Sequence, residues 1–152
     1  MYKPVEENGT YCIISYKGNE SEVFIPEMYC GHPITVLFDD LFKGHNEITK
    51  VHIPDSVTNI GGFVFDGCTN LREIVLPANL ENMWQYAFVR SGIEEITLPP
   101  KIKYISPFTF KDCKRLRKVV CNDALEEICA HAFDGCDNLV EVIHNEKLKV
   151  NL

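Results

Sequence analysis

One phenylalanine recurs along this chain at a nearly fixed step, and that step restricts the fold more than any other feature. Phe42, Phe65, Phe88, Phe110 and Phe133 are separated by 23, 23, 22 and 23 residues. Five or six positions after each comes an aliphatic residue (Ile48, Leu71, Ile93, Leu116, Leu139), and three positions later another (Val51, Ile74, Ile96, Val119, Val142). Five positions ahead of each stands Leu37, Ile60, Met83, Ile105 or Ile128. Pro26, Pro54, Pro77 and Pro99 close the short aliphatic runs, with Asn122 in the fifth place. A period in the low twenties predicts a solenoid, in which each repeat buries its apolar face only by stacking on its neighbours.

Local chemistry gives each coil its shape. REIVLP and EEITLP alternate in and out with β-branched residues, which is strand patterning. The proline ends the strand because it has no N–H to donate to the next ladder bond. One strand per coil, stacked parallel at about 4.8 Å, builds a sheet along the array. The return path, NIGGFVFDGC and its relatives, is too short for a long helix and predicts a second short extended piece and a tight helical turn.

The pattern LxxIxLPxxVxxIxxxxFxxC, plainest in ITKVHIPDSVTNIGGFVFDGCTN and LRKVVCNDALEEICAHAFDGCDN, resembles the BspA-type (Treponema pallidum-type) leucine-rich repeat. The resemblance covers residues 22–144 as about five repeats of 22–23 residues within a single domain, 1–152, leaving 145–152 as an end segment. It implies a β-rich leucine-rich-repeat solenoid, right-handed, with a curved parallel sheet and short helical turns on the return path. The first 21 residues, running into YCIISYKGNESEVFIP, resemble the hairpin-like cap that opens such arrays. A cap is needed because the first coil otherwise exposes its apolar end. Ser91 in a shortened third repeat, Trp84 where the family often has glycine, and Asn122 for proline depart from the pattern and read as drift. The resemblance further implies a non-catalytic adhesion or host-interaction module whose partner is another protein.

Motifs for chemistry are scarce. There is no Cys-x-x-Cys pair or His-Glu-x-x-His, so neither usual zinc spacing is present. No Gly-x-Ser-x-Gly, Walker-type loop or dinucleotide fingerprint occurs, and no cofactor is predicted. Cys68, Cys113 and Cys136 align on one rung with His45 and Ser91, so they read as small residues packed into a corner of the coil. Cys129 and His131 lack a third orienting group. Asp39–Asp40 reads as a solvated turn rather than a cation ligand pair.

Seven cysteines, an odd number, disfavour a closed disulfide framework and fit free thiols in a reducing compartment. The opening MYKPVEENGTY has no signal-peptide core, whereas the family resemblance points to the cell surface or secretion. Sequons at Asn8 and Asn19 matter only if the chain is secreted by a eukaryote. No apolar run is long enough for a membrane helix, so membrane insertion is not predicted. A net charge of −7 argues against binding to a nucleic-acid backbone. The charge is uneven: residues 1–47 hold eight acidic and three basic side chains, while 101–118 hold Lys101, Lys103, Lys111, Lys114, Arg115, Arg117 and Lys118 against Asp112. The basic cluster reads as a solvated face or as half of an electrostatic contact.

Two surfaces emerge as candidates for partner binding. On the concave strand side one column reads Glu22, Lys50, Glu73, Glu95, Lys118, Glu141, with opposite charges adjoining at Lys50–Glu73, Glu95–Lys118 and Lys118–Glu141. The next reads Phe24, His52, Val75, Thr97, Val120, Ile143, a mostly apolar stripe. The candidate residues there are Lys50, His52, Glu73, Val75, Glu95, Thr97, Lys118 and Val120. On the convex side Phe38 and Trp84 share one position, and Phe63, Tyr86, Phe108 and His131 share another two residues later, predicting an aromatic stripe. An uncovered C-terminal edge offers a route to a homodimer. The missing leader, the thiols and the acidic charge suggest an alternative: a small intracellular inhibitor or adaptor, such as one encoded by a phage or mobile element.

Overall fold

The computed structural model describes residues 2–7 and 9–151, which places the Asn8 sequon outside the described residues and leaves Asn19 exposed. Strand formation follows the alternation in the sequence. In β3 (Glu22–Phe24), β6 (Lys50–His52), β9 (Glu95–Thr97) and β11 (Lys118–Val120) the central aliphatic turns inward; β13 (Glu141–Ile143) repeats the arrangement with Val142 half-buried. These strands pair in parallel and in register: Glu22↔Lys50 and Phe24↔His52 in the first pair, Glu95↔Lys118↔Glu141 and Thr97↔Val120↔Ile143 in the second group.

The return path supplies a second parallel system. Here β2 (Thr10–Tyr16), β5 (His32–Leu37), β7 (Asn59–Ile60) and β8 (Asn82–Met83) form one ladder, and β10 (Tyr104–Ile105), β12 (Glu127–Ile128) and β14 (Lys149–Val150) another. The cap is a hairpin: β1 (Tyr2–Glu7) lies antiparallel to β2. Ile13 of β2 pairs with Leu37, so the second cap strand already serves as the return strand of a coil. The array is therefore sealed by backbone hydrogen bonding as well as by apolar cover.

Between the two systems lies the core, and its axis is the phenylalanine column. Phe42, Phe65, Phe88 and Phe110 are fully buried. Their rings stack at centroid distances of 5.7, 4.9 and 5.4 Å, and Phe110 continues to the partly buried Phe133 at 5.4 Å. Full burial of one such ring contributes about 1.5–3 kcal/mol, so the column is a principal source of cohesion between coils.

The tight turns after each return strand close through i→i+3 bonds but are not helices; no helix occurs among the described residues. The cause is local. Asp40, Phe63, Tyr86, Phe108 and His131, each two residues before a column phenylalanine, have φ between 59° and 64°. Gly44, Gly67, Arg90, Asp112 and Gly135, each two residues after, also have positive φ. This alternation aims successive N–H groups in different directions. In one coil Leu41, Lys43 and His45 donate back within the turn, while Asp40, Phe42 and Gly44 donate to the Gly62, Val64 and Asp66 carbonyls of the next coil. A continuous helix would keep all of these bonds within one coil.

Both parallel systems are interrupted across the one-residue-short step. The strand-side ladder passes from His52 to Val75 as a single bridge and resumes at Thr97↔Val120. The return-side ladder stops at Met83 and restarts at Tyr104. Both gaps flank Ser91–Gly92, where this coil lacks the residue its neighbours have. The shortened repeat keeps the fold but breaks the sheets.

Candidate recognition surfaces

Of the eight strand-side candidates, His52 bridges to Val75, and Glu95 and Thr97 pair with Lys118 and Val120, whereas among the described residues no strand pairing joins Val75 to Thr97. Interruption of the ladder opens a groove of about 740 Å³ between the coils of Glu73–Val75 and Glu95–Thr97, with Arg72, Glu94, Arg117 and Pro99 on its walls. A second depression of about 240 Å³ adjoins it over Lys50, His52, Glu73 and Val75. Val75 is 83% exposed and Phe24 63% exposed at positions that continue the apolar stripe. His52 stacks on Phe24 at 4.1 Å and its Nε2 lies 2.7 Å from Glu22 Oε1, which holds the Glu22 carboxyl below the usual carboxylate range.

Of the three charge pairs read from the columns, Lys118–Glu141 closes at 3.1 Å. Lys50 turns instead to Glu22 at 4.0 Å, and Glu95 is met by Arg117 at 4.0 Å. Arg117 also reaches Glu94 at 3.4 Å. The column Arg72, Glu94, Arg117 therefore belongs to the groove although it was not among the candidates; its sequence signal is three long charged residues spaced by 22 and 23. Among the described residues, the buried Arg72 Nη1 there has no hydrogen-bond partner.

On the return side the aromatic residues separate into two kinds. Phe63, Tyr86, Phe108 and His131 stack face to face at 4.8, 5.0 and 5.2 Å with interplanar angles of 4–8°. Each takes a positive φ that bulky residues rarely adopt, at a cost of order 1 kcal/mol, and ring stacking of similar size offsets it. Their faces are occupied by one another, and Lys43 Nζ sits 4.9 Å from the outer face of Phe63. Phe38 and Trp84 stay apart from this column, 50% and 57% exposed.

The basic cluster at 101–118 is matched largely within the protein. Lys103 meets Glu126 at 3.3 Å and Lys114 meets Asp137 at 2.8 Å. Lys101 donates to Asn79 at 2.9 Å, and Lys111 lies over the Phe108 ring at 5.7 Å. Among the described residues Arg115 alone of the cluster's arginines makes no ion pair. A buried carboxylate missed by sequence reading, Asp66, accepts from Arg90 Nε at 3.0 Å on Oδ1 and from Arg90 Nη2 at 2.7 Å on Oδ1 and 2.8 Å on Oδ2. Arg90 has a φ of 56° where three of the other coils place glycine and one places Asp112.

The aligned cysteines pack into the coil corner. Cys68 Sγ donates to the Phe42 carbonyl at 3.1 Å, Cys113 Sγ to Phe88 at 3.0 Å and Cys136 Sγ to Phe110 at 2.9 Å, each reaching back to the previous coil. Burial pushes the Cys68 thiol up to about 12, and the Cys136 thiol together with burial raises Cys113. The exposed thiol is Cys30, in a feature the repeat pattern did not predict. β4 (Met28–Tyr29) forms an antiparallel hairpin with β5 across a Cys30–Gly31 turn, both residues having positive φ. The signal was present: Pro26 and Pro54 are 28 residues apart, against 23 and 22 for the later prolines. Native-state alkylation near neutral pH is expected to label Cys30 first and Cys68 and Cys113 only on unfolding, as peptide mass mapping of quenched samples will read.

These features define a class: an array of stacked coils joined by short parallel strands on two sides and by a column of phenylalanines along the core. The BspA type leucine-rich repeat region matches residues 35–150 in six copies, and the chain belongs to that family. A solved leucine-rich repeat protein from T. pallidum is similar over 99% of this chain and 82% of its own, with 26% identity and a TM-score of 0.76. One from Eubacterium ventriosum is similar over 92% of this chain and 39% of its own, with 25% identity and a TM-score of 0.71. A leucine-rich cell surface protein of Faecalibacterium prausnitzii shares the fold at 21% identity and a TM-score of 0.69, with 94% of this chain and 52% of that one aligned. No curated protein matches the sequence.

Proposed function

We propose that the chain is a non-catalytic protein-recognition module of the adhesion or host-interaction kind, holding its partner on the strand face. The observation that carries this reading is the groove opened by the interrupted ladder, flanked by Val75 at 83% exposure and lined by charged residues. Exposed apolar side chains beside fixed charges suit a protein contact, in which apolar area supplies affinity and charge fixes the docking register. The family favours this use, since curved repeat arrays commonly bind along an extended face. Replacing Val75 and Val120 together with Glu places two charges on that stripe without touching the core. Capture of the cognate partner on immobilised protein is expected to fall by about 100-fold or more, a loss of roughly 3 kcal/mol. Undiminished capture by the double variant would remove the strand face from the reading. The partner's identity, a host surface component or an intracellular protein that becomes blocked, decides between adhesion and the inhibitor alternative.

A further inference from the structure

Phe38 and Trp84 flank a slot with a carboxylate on its floor. Gly61 N–H donates to the Leu37 carbonyl at 2.8 Å and Trp84 N–H to the Ile60 carbonyl at 3.0 Å, so Phe38, Gly61 and Trp84 hold the same position in three successive coils. At the strand spacing the two aromatic positions lie about 9.6 Å apart with a glycine between them. Among the described residues neither ring packs on another ring, and both are at least half exposed.

The glycine is required by what lies over it. A Cβ on Gly61 would stand 2.4 Å from Asp39 Oδ1 and 2.8 Å from Asp39 N. The carboxylate therefore rests on the outer surface of Gly61, held by the Gly62 N–H at 2.8 Å. Its neighbour Asp40 is neutralised by Lys43 at 3.1 Å, but among the described residues no cation pairs with Asp39. Two half-exposed aromatic side chains beside a fixed carboxylate that no cation pairs among the described residues form a receptor for positive charge.

We propose that this slot binds the guanidinium of an arginine on a protein partner, stacked between Phe38 and Trp84 with its N–H groups directed at Asp39. A planar group midway between the rings lies within the distance of about 6 Å that cation–π attraction requires on both sides. Guanidinium fits better than ammonium because it is flat, weakly hydrated and able to present two N–H groups to a carboxylate. The acidic excess of residues 1–47 and the net charge of −7 draw a basic segment toward this end of the array. The inference rests on the reading of the chain as a protein-recognition module but uses a different face from the strand groove.

Trp84 is the only tryptophan, so its emission reports on the slot directly. The full chain is titrated at low ionic strength with acetyl-Gly-Arg-Gly-amide and with its lysine and citrulline counterparts. A saturable change is expected with the arginine peptide, weakened about tenfold or more with citrulline, which keeps the shape without the charge. Asp39→Asn keeps an oxygen for the Gly62 N–H and so preserves the turn; it and Phe38→Ala are each expected to weaken binding about tenfold. Asp55→Asn is the matched control, since Asp55 Oδ1 likewise accepts from the next coil, at Ala78 N, 2.8 Å away. That variant is expected to bind as wild type does. No saturable change with the arginine peptide, or equal binding of the citrulline peptide, overturns the proposal. An Asp55→Asn loss as large as that of Asp39→Asn overturns it too, by marking diffuse attraction. Equal binding of the lysine peptide overturns the guanidinium assignment. Val75→Glu with Val120→Glu leaves the slot intact, so failure of the strand-face reading and failure of this one are read separately.

Discussion

Replacing Phe88 with alanine is expected to lower the unfolding free energy by about 3–5 kcal/mol, the range for deleting a buried aromatic ring whose site cannot collapse. Phe88 is fully buried and stacks on Phe65 at 4.9 Å and on Phe110 at 5.4 Å. Its removal empties the middle of a column on which both neighbouring coils rest. The backbone cannot close the gap, because Phe88 N–H is tied to the Thr109 carbonyl at 2.9 Å and Arg90 N–H to Lys111 at 2.9 Å. In a repeat array the cost concentrates at the two interfaces of the damaged coil, so the urea transition is also expected to broaden as the halves uncouple. Phe133→Ala, at the partly buried end of the same column, is the comparison and is expected to cost less than half as much. Equal losses in the two variants would mean that the rings are buried independently and that the column has no cooperative role.

The coil period, the buried rungs, most strand positions and the register within each stretch of the strand face were legible in the sequence because they depend on spacing alone; REIVLP, which reads as a strand, forms only the Val75 bridge. Val51, Ile74, Ile96 and Val119 turn inward and Lys50, Glu73, Glu95 and Lys118 outward, as two-residue alternation requires. What spacing could not convey was the backbone conformation of the turns. Nothing in Phe63, Tyr86 and Phe108 announces positive φ, since bulky residues rarely take it; the requirement is set by the inter-coil ladder, and stacking makes it tolerable. The aromatic stripe thereby divides into a closed stack and two free rings. The same limit applied to ion pairs: columns brought Lys50 near both Glu22 and Glu73, and side-chain reach selected Glu22. The basic cluster was visible, but its acidic complements lie roughly one repeat away in sequence, as in Lys103–Glu126 and Lys114–Asp137.

The short third coil proved more consequential than drift. One missing residue leaves the core rungs Ile93 and Ile96 buried while separating the hydrogen-bonded edges on both sides of the array. At the corner itself it leaves a hollow of about 410 Å³ bordered by Arg90, Lys114 and Arg115. The strand-face groove is thus a consequence of repeat length, and a chain with the residue restored would be expected to lose it. A departure from periodicity is where a solenoid of otherwise interchangeable coils acquires an individual surface.

Gly92→Ala tests how tightly that corner is drawn, with an expected loss of about 2–3 kcal/mol. The added Cβ would stand 2.1 Å from the Thr69 carbonyl oxygen, 2.7 Å from the Thr69 carbonyl carbon and 3.2 Å from the Leu71 oxygen. All three are backbone atoms, so no side-chain rotation relieves the overlap. Gly92 N–H is also bonded to the Cys68 carbonyl at 3.0 Å, which prevents the coil from swinging away without losing that bond. The requirement is for space and not for conformation, which sets Gly92 apart from Gly67. Gly67 has a φ of 71°, and a Cβ there would meet nothing closer than 3.9 Å. Gly67→Ala is accordingly expected to cost only about 1 kcal/mol, the price of a left-handed alanine. Denaturant midpoints for the two variants, at equal m-values, check the difference. If Gly92→Ala unfolds no more readily than Gly67→Ala, the corner is looser than its contacts indicate, and the missing residue is not what fixes the break in the two ladders.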